Sequence, residues 1–389
     1  MRVLIVFDKF KGSLGALQAC ELAARALRAD HRDWELDLCP LTDGGDGFAA
    51  ILTRAAGGRL VTQQVTGPRG GWVEATLGLV PFSRLPSAAR TLLELPASAD
   101  ARPVAVVEMA AASGLERLPP GQHDPWQSTS LGTGQLIRAA AEMGAGAILL
   151  GVGGSATNDL GAGALAALGV EFRTADGGRI LPPVPALWPR IARIEEGVYP
   201  SIPPIRIACD VVNPLLGPRG AAAIYGPQKG LLSGDLARME AAMARLASML
   251  CARWEQTPAL VETPGAGAAG GLPFGLLVAA GARLLPGVDL VSAWLDLPAR
   301  IAAADVVITG EGTFDQSSLA GKGPGAVALL ADAAGRAVHV FAGRIAEIAP
   351  RAAWRLHAIT PAGIPLEQAL REAPDRLARS VRREFAPSA

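Results

Sequence analysis

The sequence predicts a two-domain α/β protein, in which a discontinuous Rossmann-like domain with a parallel sheet carries a second, inserted α/β domain. Three observations support this fold class. The chain has 389 residues, which is more than one typical domain. Short apolar runs alternate with amphipathic stretches. The two chain ends share this βαβ pattern, so we expect one domain from residues 1–60 and 285–389 and an inserted domain from residues 61–284.

The N-terminal segment begins with an apolar run and continues into an amphipathic one. Val3 to Phe7 has the composition of a buried strand, and Ser13 is a suitable N-cap for a helix from Leu14 to Leu27. A second strand is predicted from Leu36 to Leu41, and the helix that follows should end at Gly57-Gly58. This order gives the first unit of the expected parallel sheet.

The middle of the chain begins with a different composition, after which the alternating pattern returns. The segments VTQQV and WVEATLGLV flank a GPRGG turn and predict a β-hairpin. Residues 82–102 are rich in Pro, Ala and Ser, and we expect them to form an exposed connector. Further strands are predicted at VAVVEM, AILLGV and IRIACDV, and near the C-terminus at DVVITG, AVHVFAG and LHAITPAG.

Charge and cysteine usage exclude several classes of function. The chain has 36 Lys and Arg residues and 36 Asp and Glu residues, so no basic excess predicts a nucleic-acid or anionic-membrane partner. No apolar run is long enough to predict a membrane span. The cysteines form no CxxC pair, and the N-terminus lacks the pattern of a signal peptide. We therefore expect a cytoplasmic protein that acts on a small molecule.

Two glycine-containing loops near the N-terminus follow predicted strands. The first, Asp8–Ser13, would place Lys11 and a helix N-terminus where they can bind an anion, or it is an ordinary connection between a strand and a helix. The second, Asp43–Gly47, has two acids on a flexible backbone, which could bind magnesium or orient substrate hydroxyls. A plain glycine-rich turn is the alternative for this loop.

A third loop, Gly151–Asp159, lies between the predicted strand AILLGV and a helix. Its glycines let a ligand approach the backbone, and three hydroxyl or amide side chains near its end add hydrogen-bonding groups. The spacing of Gly151, Gly153 and Ala156 also matches a dinucleotide fingerprint, with Asp176 about twenty residues further on. However, the segment around Asp176 has the composition of a turn, whereas the fingerprint requires the acid at a strand end.

Two further loops combine glycine with other features. Gly226–Gly230 contains Lys229 and comes shortly after Asp210, which stands at the end of a predicted strand. That position favours a functional carboxylate, and a helix cap is the alternative for Asp210. Gly265–Gly271 matches GxGxxG, but the segment LVETP before it is a poor strand. The wall of a nucleotide site and a flexible linker are both open for this loop.

A sixth loop combines acids, a lysine and a helix start in order. Thr309–Asp315 follows the strand DVVI, and Lys322 comes just before Pro324, which suits the first turn of a helix. This order favours a functional site for phosphate. No Walker A motif occurs, because Lys322 is followed by glycine and Gln316 occupies the required upstream glycine position. The protein-kinase motifs do not occur either.

A series of segments in order along the chain resembles the bacterial glycerate kinase family. The segments are FDKFKGSL, LTDGGDG, EMAAASGL, TSLGTGQLI, GVGGSATND, GAGALAALG, CDVVNPLLG, YGPQKG, GAGAAGG and ITGEGTFD followed by GKGP. They run from the first predicted strand to beyond Lys322, so the resemblance covers nearly the whole chain.

The resemblance implies phosphorylation of D-glycerate with ATP and magnesium, typically to 2-phosphoglycerate, by two α/β domains of which the second is inserted in the first. The sequence departs from the family pattern in several places. Lys9 stands where the family more often has Ser, and Asp46 and Gln135 stand where it has Glu. The usual Asp-x-Gln is Asp315-Gln316 here, and residues 82–102 are longer than the usual hairpin.

The residues and the resemblance together predict three sets of site residues. The predicted catalytic residues are Asp315, Lys322 and Asp210, with Asp210 and Asp315 also as magnesium ligands. The predicted substrate-binding residues are Lys11, Ser13, Asp43, Gly44 and Gly45. The predicted nucleotide-binding residues are Gly153, Gly154, Ser155, Thr157, Asn158, Lys229 and Glu311.

Two other classes of function fit parts of the sequence. A nicotinamide-dependent oxidoreductase of a small hydroxy acid rests on the two dinucleotide-type matches. A non-catalytic sensor of a sugar acid would bind the metabolite without turnover. The pattern leaves open which hydroxyl of glycerate accepts the phosphoryl group, whether a related hydroxy acid is the substrate, which carboxylate is the base, and whether the chain forms a homo-oligomer.

Overall fold

The computed structural model describes residues 1–96, 101–119, 121–316, 318–319, 323–346, 348–349 and 351–387. Its strands are β1 (Arg2–Phe7), β2 (Glu35–Leu38), β3 (Arg59–Thr66), β4 (Trp72–Pro81), β5 (Pro103–Glu108), β6 (Ala147–Gly151), β7 (Glu171–Arg173), β8 (Arg193–Glu195), β9 (Ile205–Ala208), β10 (Arg283–Leu285), β11 (Val306–Gly310), β12 (Thr313–Phe314), β13 (Ala337–Ala342), β14 (Arg344–Ile345) and β15 (Trp354–Ala358). Its α-helices are α1 (Ala16–Asp30), α2 (Phe48–Ala55), α3 (Ser87–Leu93), α4 (Met109–Ser113), α5 (Leu131–Glu142), α6 (Ala162–Ala167), α7 (Ala221–Tyr225), α8 (Leu236–Arg253), α9 (Leu272–Ala280), α10 (Gly287–Trp294), α11 (Leu297–Ala303), α12 (Gly323–Ala333) and α13 (Leu366–Glu384). No helix within these ranges has both the length and the apolar composition needed to cross a membrane.

The chain divides into two compact units, of which the first comprises Met1–Asp43 and Val291–Ala389. Its sheet has the strand order β15-β13-β11-β1-β2, and all neighbouring strands are parallel. Val3 pairs with Val306, so the first strand lies beside the strand of the segment DVVITG. The two chain ends therefore share one sheet, as their common pattern predicts.

Helices cover the sheet of the first unit. The five residues from Val3 to Phe7 have no exposed surface. Val3, Ile5 and Phe7 pack with α1 and α13, and α11 and α12 contact strands of the same sheet. Burial on both faces explains why β1 is a continuous apolar run and not an alternating one.

The strand order of the first unit marks where a ligand is expected to bind. Numbered along the chain within the unit, the strands lie in the order 2-1-3-4-5, which is a common doubly wound order and differs from the Rossmann order 3-2-1-4-5-6. The direction in which the chain crosses the sheet reverses between β1 and β11. Doubly wound proteins bind ligands at this reversal, outside the carboxyl ends of the strands.

The second unit, Gly44–Leu290, contains a mixed sheet with the order β10-β9-β6-β5-β4-β3. Its strands β10, β9, β6 and β5 are parallel. β3 and β4 form the antiparallel hairpin that the GPRGG turn predicts. The unit boundaries fall after Asp43 and Leu290, whereas the predicted boundaries were 60/61 and 284/285. Helix α2 contacts β3, β4 and β5 and so belongs to the second unit.

Two local expectations were wrong. Within residues 82–102, α3 forms and Leu85, Ala89 and Leu93 are buried, so the described part of this segment is a packed helix and not an exposed connector. Ala89 and Leu93 lie four residues apart on one face of α3, and Leu85 is buried just before this helix. Ser13 does not cap the first helix, because α1 begins at Ala16 and Gly15 is its N-cap. No side chain caps this helix start.

Candidate active site

Four carboxylates gather at the carboxyl ends of neighbouring parallel strands in the first unit. The carboxylate group, as we call it below, consists of Asp8 after β1, Asp43 after β2, Glu311 after β11 and Asp315 after β12. The strands β1, β2 and β11 end at the same edge of one parallel sheet, which brings Asp8, Asp43 and Glu311 together although more than two hundred and fifty positions separate Asp43 from Glu311. Asp315 follows β12, which pairs with β14 outside this sheet. Asp8 and Glu311 directly follow the two strands on either side of the chain reversal.

The carboxylate group is strained electrostatically. Burial, together with the charges of Asp8, Asp315 and Asp43, raises the pKa of Glu311 to about 7, and a hydrogen bond from Ser318 opposes the rise. Burial also raises the pKa of Asp8 to about 6, and the charge of Asp43 contributes. Glu311 Oε1 is buried and has no hydrogen-bond partner among the described residues. Crowded carboxylates with an unsatisfied oxygen have the donor chemistry that a hard divalent cation such as Mg²⁺ prefers.

Positive charge and a helix start lie beside the carboxylate group. Lys9 Nζ is 3.5 Å from Asp43 Oδ1, and the main-chain N–H of Lys9 donates to Asp8 Oδ1 at 2.7 Å. A methyl group added at Gly323, the first residue of α12, would lie 3.4 Å from Asp8 Oδ2. The first turn of α12 therefore begins next to Asp8. Free N–H groups in such a turn bind phosphate in many proteins.

Asp315 takes part in a turn with Ser318. Asp315 Oδ1 accepts the main-chain N–H of Ser318 at 3.3 Å, and the N–H of Asp315 donates to Ser318 Oγ at 3.2 Å. These bonds fix the orientation of the carboxylate beside Glu311. Lys322, which we predict to be catalytic, lies outside the described residues.

The other predicted residues of the first unit differ in their surroundings. Lys11 is exposed in the loop before α1. Ser13 Oγ donates to the main-chain oxygen of Leu370 in α13, so its hydroxyl already has a structural partner. Their role in substrate binding stays a prediction.

In the second unit, the Gly44-Gly45 segment packs on the loop that follows β6. Gly44 O accepts the N–H of Gly153 at 2.9 Å. A Cβ at Gly153 would lie 2.7 Å from Gly45 Cα, so only glycine fits there without a shift. Gly44 also lies near the main-chain oxygen of Ala208, at the end of β9. The structure thus brings together two loops that the sequence predicts to bind substrate and nucleotide.

The buried side chain of Lys229 supports the loop Gly151–Asp159. Its side chain is 1% exposed, and Nζ donates to Ser155 Oγ at 2.9 Å and to Thr157 O at 2.7 Å. Burial lowers the pKa of Lys229 to about 7, opposed by the charge of Asp159. Lys229 therefore holds the predicted nucleotide loop in place through direct hydrogen bonds.

Asp159 anchors the end of the same loop. Its fully buried carboxylate accepts hydrogen bonds from the N–H and Oγ of Ser130 and from the N–H groups of Gly161 and Gly163. Burial raises the pKa of Asp159, and these hydrogen bonds oppose the rise. Asp159 thereby joins the loop to the starts of α5 and α6.

Thr157 and Asn158 are buried under the loop Gly265–Gly271. Both side chains have no exposed surface. A Cβ at Gly270 would lie 2.0 Å from Thr157 O and 2.7 Å from Asn158 Oδ1. Thr157 Oγ1 and Asn158 Oδ1 have no hydrogen-bond partner among the residues that the structure describes. Their contact with a nucleotide stays a prediction.

Asp210 follows β9 and stabilises a helix start. Its Oδ1 accepts the N–H of Val288 in the first turn of α10 at 2.9 Å. A Cβ at Gly287 would lie 2.6 Å from Asp210 Oδ2, so the carboxylate sits directly against this turn. The helix-cap interpretation is thus present in the structure, and the catalytic role of Asp210 stays a prediction.

The dinucleotide fingerprint is not formed in the structure. Gly151 ends β6, but the next helix, α6, begins only at Ala162. Asp176 lies in a turn after β7, where Thr174 Oγ1 donates to its carboxylate, and not at a strand end. Both features contradict the geometry that places a pyrophosphate on a helix N-terminus.

Sequence reasoning missed one member of the carboxylate group, Asp8. The available signal was an acid directly after a buried strand, which is the same relation that Glu311 has to β11. The lysines of the segment DKFKGS drew attention to anion binding instead. The position of Asp8 at the chain reversal depends on strand order, which the sequence pattern alone does not give.

Comparisons with known proteins identify relatives of the whole chain. The sequence profile of the glycerate kinase family matches residues 3–386. The glycerate kinase of Bacillus subtilis (strain 168) is 37% identical, with 98% of this chain and 96% of the relative covered. The glycerate 2-kinase of Escherichia coli (strain K12) is 36% identical, with 85% and 82% covered. A crystal structure from Salmonella typhimurium LT2, assigned as a glycerate kinase 2, has a TM-score of 0.74 and 36% identity over 99% of this chain and 97% of that one.

These matches extend over both compact units and confirm the resemblance that the ordered segments indicate. The parallel sheets and the mixed α/β architecture also agree with the solved relative. The chain belongs to the glycerate kinase family.

Proposed function

We propose that this protein transfers the γ-phosphoryl group of ATP to a hydroxyl group of D-glycerate, with 2-phosphoglycerate as the favoured product. As a member of the glycerate kinase family, the chain is a phosphotransferase enzyme. The structural observation that carries the proposal is the carboxylate group at the chain reversal of the parallel sheet. Phosphoryl transfer needs positioning and charge compensation more than covalent chemistry by the protein.

The carboxylate group fits a magnesium ion. Mg²⁺ prefers oxygen ligands and retains water, and its charge would compensate the burial and mutual repulsion that raise the pKa of Asp8 and Glu311. When bound, the ion supplies positive charge to the phosphate oxygens. Asp315 then holds the ion or accepts the proton of the attacking hydroxyl. Asp210 remains a predicted catalytic residue and magnesium ligand of the second unit.

The first unit offers groups for phosphate and substrate. The N–H groups in the first turn of α12 lie beside Asp8 and can bind phosphate oxygens. Lys322, just before this helix in the sequence, would add positive charge. Lys11, Ser13 and Asp43 are the proposed substrate residues of this unit. Ser13 would contribute through its main chain, because its hydroxyl bonds to Leu370.

The second unit offers a glycine-rich surface for the nucleotide. We assign Gly153, Gly154 and Ser155 to nucleotide binding, with Thr157 and Asn158 buried behind them. Lys229 acts by positioning the loop, since its amine is occupied by Ser155 and Thr157. Gly44 and Gly45, which pack on the same loop, are assigned to the substrate.

The organisation of the chain follows the same proposal. The two compact units are taken as two α/β domains, the second inserted in the first, with the chain passing between them after Asp43 and after Leu290. We propose a cytoplasmic enzyme of small-molecule metabolism, and a homo-oligomer is compatible with the sequence.

An assay of ADP release tests the proposed function against its rivals. Purified protein is supplied with ATP, Mg²⁺ and D-glycerate, and ADP is followed by a coupled reaction. A parallel reaction contains NAD⁺ and D-glycerate, and NADH absorbance is followed. ADP formation that depends on D-glycerate supports a kinase. NADH formation would support an oxidoreductase, and binding of glycerate without either product would support a sensor.

A further inference from the structure

Two histidines and a glutamate meet on one face of the parallel sheet of the first unit. β13 contributes His339, β15 contributes His357, and Glu384 is the last residue of α13. In the register of these strands, Phe341 pairs with His357, and His339 lies two residues before Phe341. Side chains two residues apart on a strand share a face, so both imidazoles project toward the same side as α13.

The potential ligand atoms of these three residues lie close together. His339 Nδ1 is 3.3 Å from His357 Nε2 and 3.5 Å from Glu384 Oε1. In a tetrahedral site with metal bonds of about 2.1 Å, ligand atoms lie about 3.4 Å apart. One ligand atom from each residue falls within 4.8 Å of the others. Two of the three distances therefore already match a tetrahedral metal site, and the third is within 4.8 Å.

The two imidazoles are buried and held in place by aromatic contacts. The side chains of His339 and His357 are 8% and 13% exposed. Phe341 stacks on His357 with ring centroids 4.3 Å apart, and Phe385 packs against His339. A neutral imidazole keeps the lone pair that binds a metal.

The geometry points to a binding site for one divalent transition-metal ion of the zinc class, held by His339 Nδ1, His357 Nε2 and a carboxylate oxygen of Glu384. Imidazole nitrogen with one carboxylate oxygen suits zinc and cobalt, whereas magnesium prefers oxygen ligands alone. Three protein ligands leave a fourth position for water. The second oxygen of Glu384 lies 3.8 Å from His357 Nδ1, so the carboxylate faces both imidazoles.

Such an ion would tie the end of α13 to two strands of the sheet. It would replace the hydrogen bond between the two imidazoles by bonds to all three residues. A metal that binds the folded chain alone stabilises it by mass action. Arg355 Nη1 lies 3.3 Å from Glu384 Oε1, so its positive charge opposes binding of the metal ion there. The Arg355 side chain is 71% exposed and can turn to solvent.

Calorimetry on the full-length chain tests the proposal without any assay of turnover. Protein treated with a chelator and dialysed is titrated with Zn²⁺, and in a separate experiment with Mg²⁺. Co²⁺ serves as a spectroscopic probe, because tetrahedral Co²⁺ absorbs visible light strongly. His339→Ala and Glu384→Gln remove one ligand each, and Glu384→Gln preserves the side-chain shape. His123→Ala is the matched control, because it removes a histidine of the second unit.

We expect one equivalent of Zn²⁺ on the wild-type chain, at least tenfold weaker binding in the two ligand variants, and unchanged binding in His123→Ala. Zn²⁺ should raise the Tm of the wild type and of His123→Ala, and it should raise that of the ligand variants by less at the same concentration. Arg355→Gln should bind the ion more tightly than the wild type. No binding of Zn²⁺ at micromolar concentration, or equal binding by wild type and Glu384→Gln, would overturn the proposal.

Discussion

The buried side chain of Lys229 donates a hydrogen bond to Ser155 Oγ at 2.9 Å. A second bond, to Thr157 O, fixes the main chain of the same glycine-rich loop. The sequence predicts that this lysine contacts the nucleotide, but its amine already donates these two hydrogen bonds to the loop. Its effect on phosphoryl transfer passes through the loop that it positions.

The buried amine of Lys229 makes a prediction about stability and pH. Burial lowers its pKa to about 7 in the folded protein, from the ordinary lysine value of 10.5. Between these values the unfolded chain binds more protons, so folding stability gains from this group as pH rises. The unfolding free energy of the wild type should therefore rise relative to that of Lys229→Met between pH 7 and pH 9, by up to about 1.4 kcal/mol per pH unit.

Urea denaturation of the two proteins at pH 7, 8 and 9 measures this shift. Because Met has a similar volume and no charge, the comparison isolates the amine. A difference in unfolding free energy that stays constant over this range would show that Lys229 keeps its charge in the folded state.

The role of Asp315 predicts a large loss of turnover on amide substitution. Asp315→Asn keeps the shape and the turn with Ser318 but removes the base or the magnesium ligand. Turnover should fall about a hundredfold or more while the fold is kept, since general base catalysis contributes about 10²–10⁴-fold. Ser318→Ala is the comparison variant, because it removes the hydroxyl that accepts the N–H of Asp315 and bonds to Glu311, and it leaves the Asp315 carboxylate in place. If Asp315 serves only the turn, both variants should lose activity to a similar, small extent.

Asp8 should govern the magnesium requirement. Asp8→Asn removes one charge from the carboxylate group next to the start of α12, so the Mg²⁺ concentration for half-maximal rate should rise about tenfold or more. Asp305→Asn is the matched control, because Asp305 precedes β11 at the opposite end of the strand and is exposed. Titration of the rate with Mg²⁺ measures both. An equal magnesium requirement in Asp8→Asn and wild type would remove Asp8 from the site.

The contact between Gly153 and Gly45 predicts a steric effect. Gly153→Ala places a methyl group 2.7 Å from Gly45 Cα, which must move the two loops apart. Overpacking of this kind costs about 1–3 kcal/mol, and the Michaelis constants should rise. Gly71→Ala is the control in the same unit, because a methyl group there meets no atom within 4 Å. Thermal unfolding and steady-state kinetics distinguish the two variants. A Gly153→Ala protein with the kinetics of Gly71→Ala would show that the loop packing is unimportant.

Loops and strand ends of this fold could be predicted from local patterns. The acids Asp43, Glu311 and Asp315 were predicted for the site because each follows an apolar run and stands among glycines. The hairpin β3–β4 followed from its turn, and the pairing of β1 with β11 followed from the shared texture of both ends. These features depend on short stretches of sequence, which periodicity and turn chemistry describe well.

Features that depend on strand order or on distant packing could not be predicted in this way. Asp8 joins the carboxylate group because the sheet reverses between β1 and β11. Lys229 is buried because a loop more than seventy residues earlier in the chain supplies its hydrogen-bond acceptors. Within residues 82–102, Leu85, Ala89 and Leu93 carried a helical spacing, but the Pro and Ser content obscured it.

Phosphorus NMR of the reaction tests the central claim most directly. Wild-type protein and Asp315→Asn are incubated with ATP, Mg²⁺ and D-glycerate, and the phosphorylated product is compared with authentic 2-phosphoglycerate and 3-phosphoglycerate. The account predicts a phosphomonoester of glycerate from the wild type, with the 2-phosphoglycerate signal dominant, and a rate lower by about a hundredfold or more from Asp315→Asn. If folded wild-type protein gives no phosphoglycerate signal, whether or not it consumes ATP, the account is contradicted.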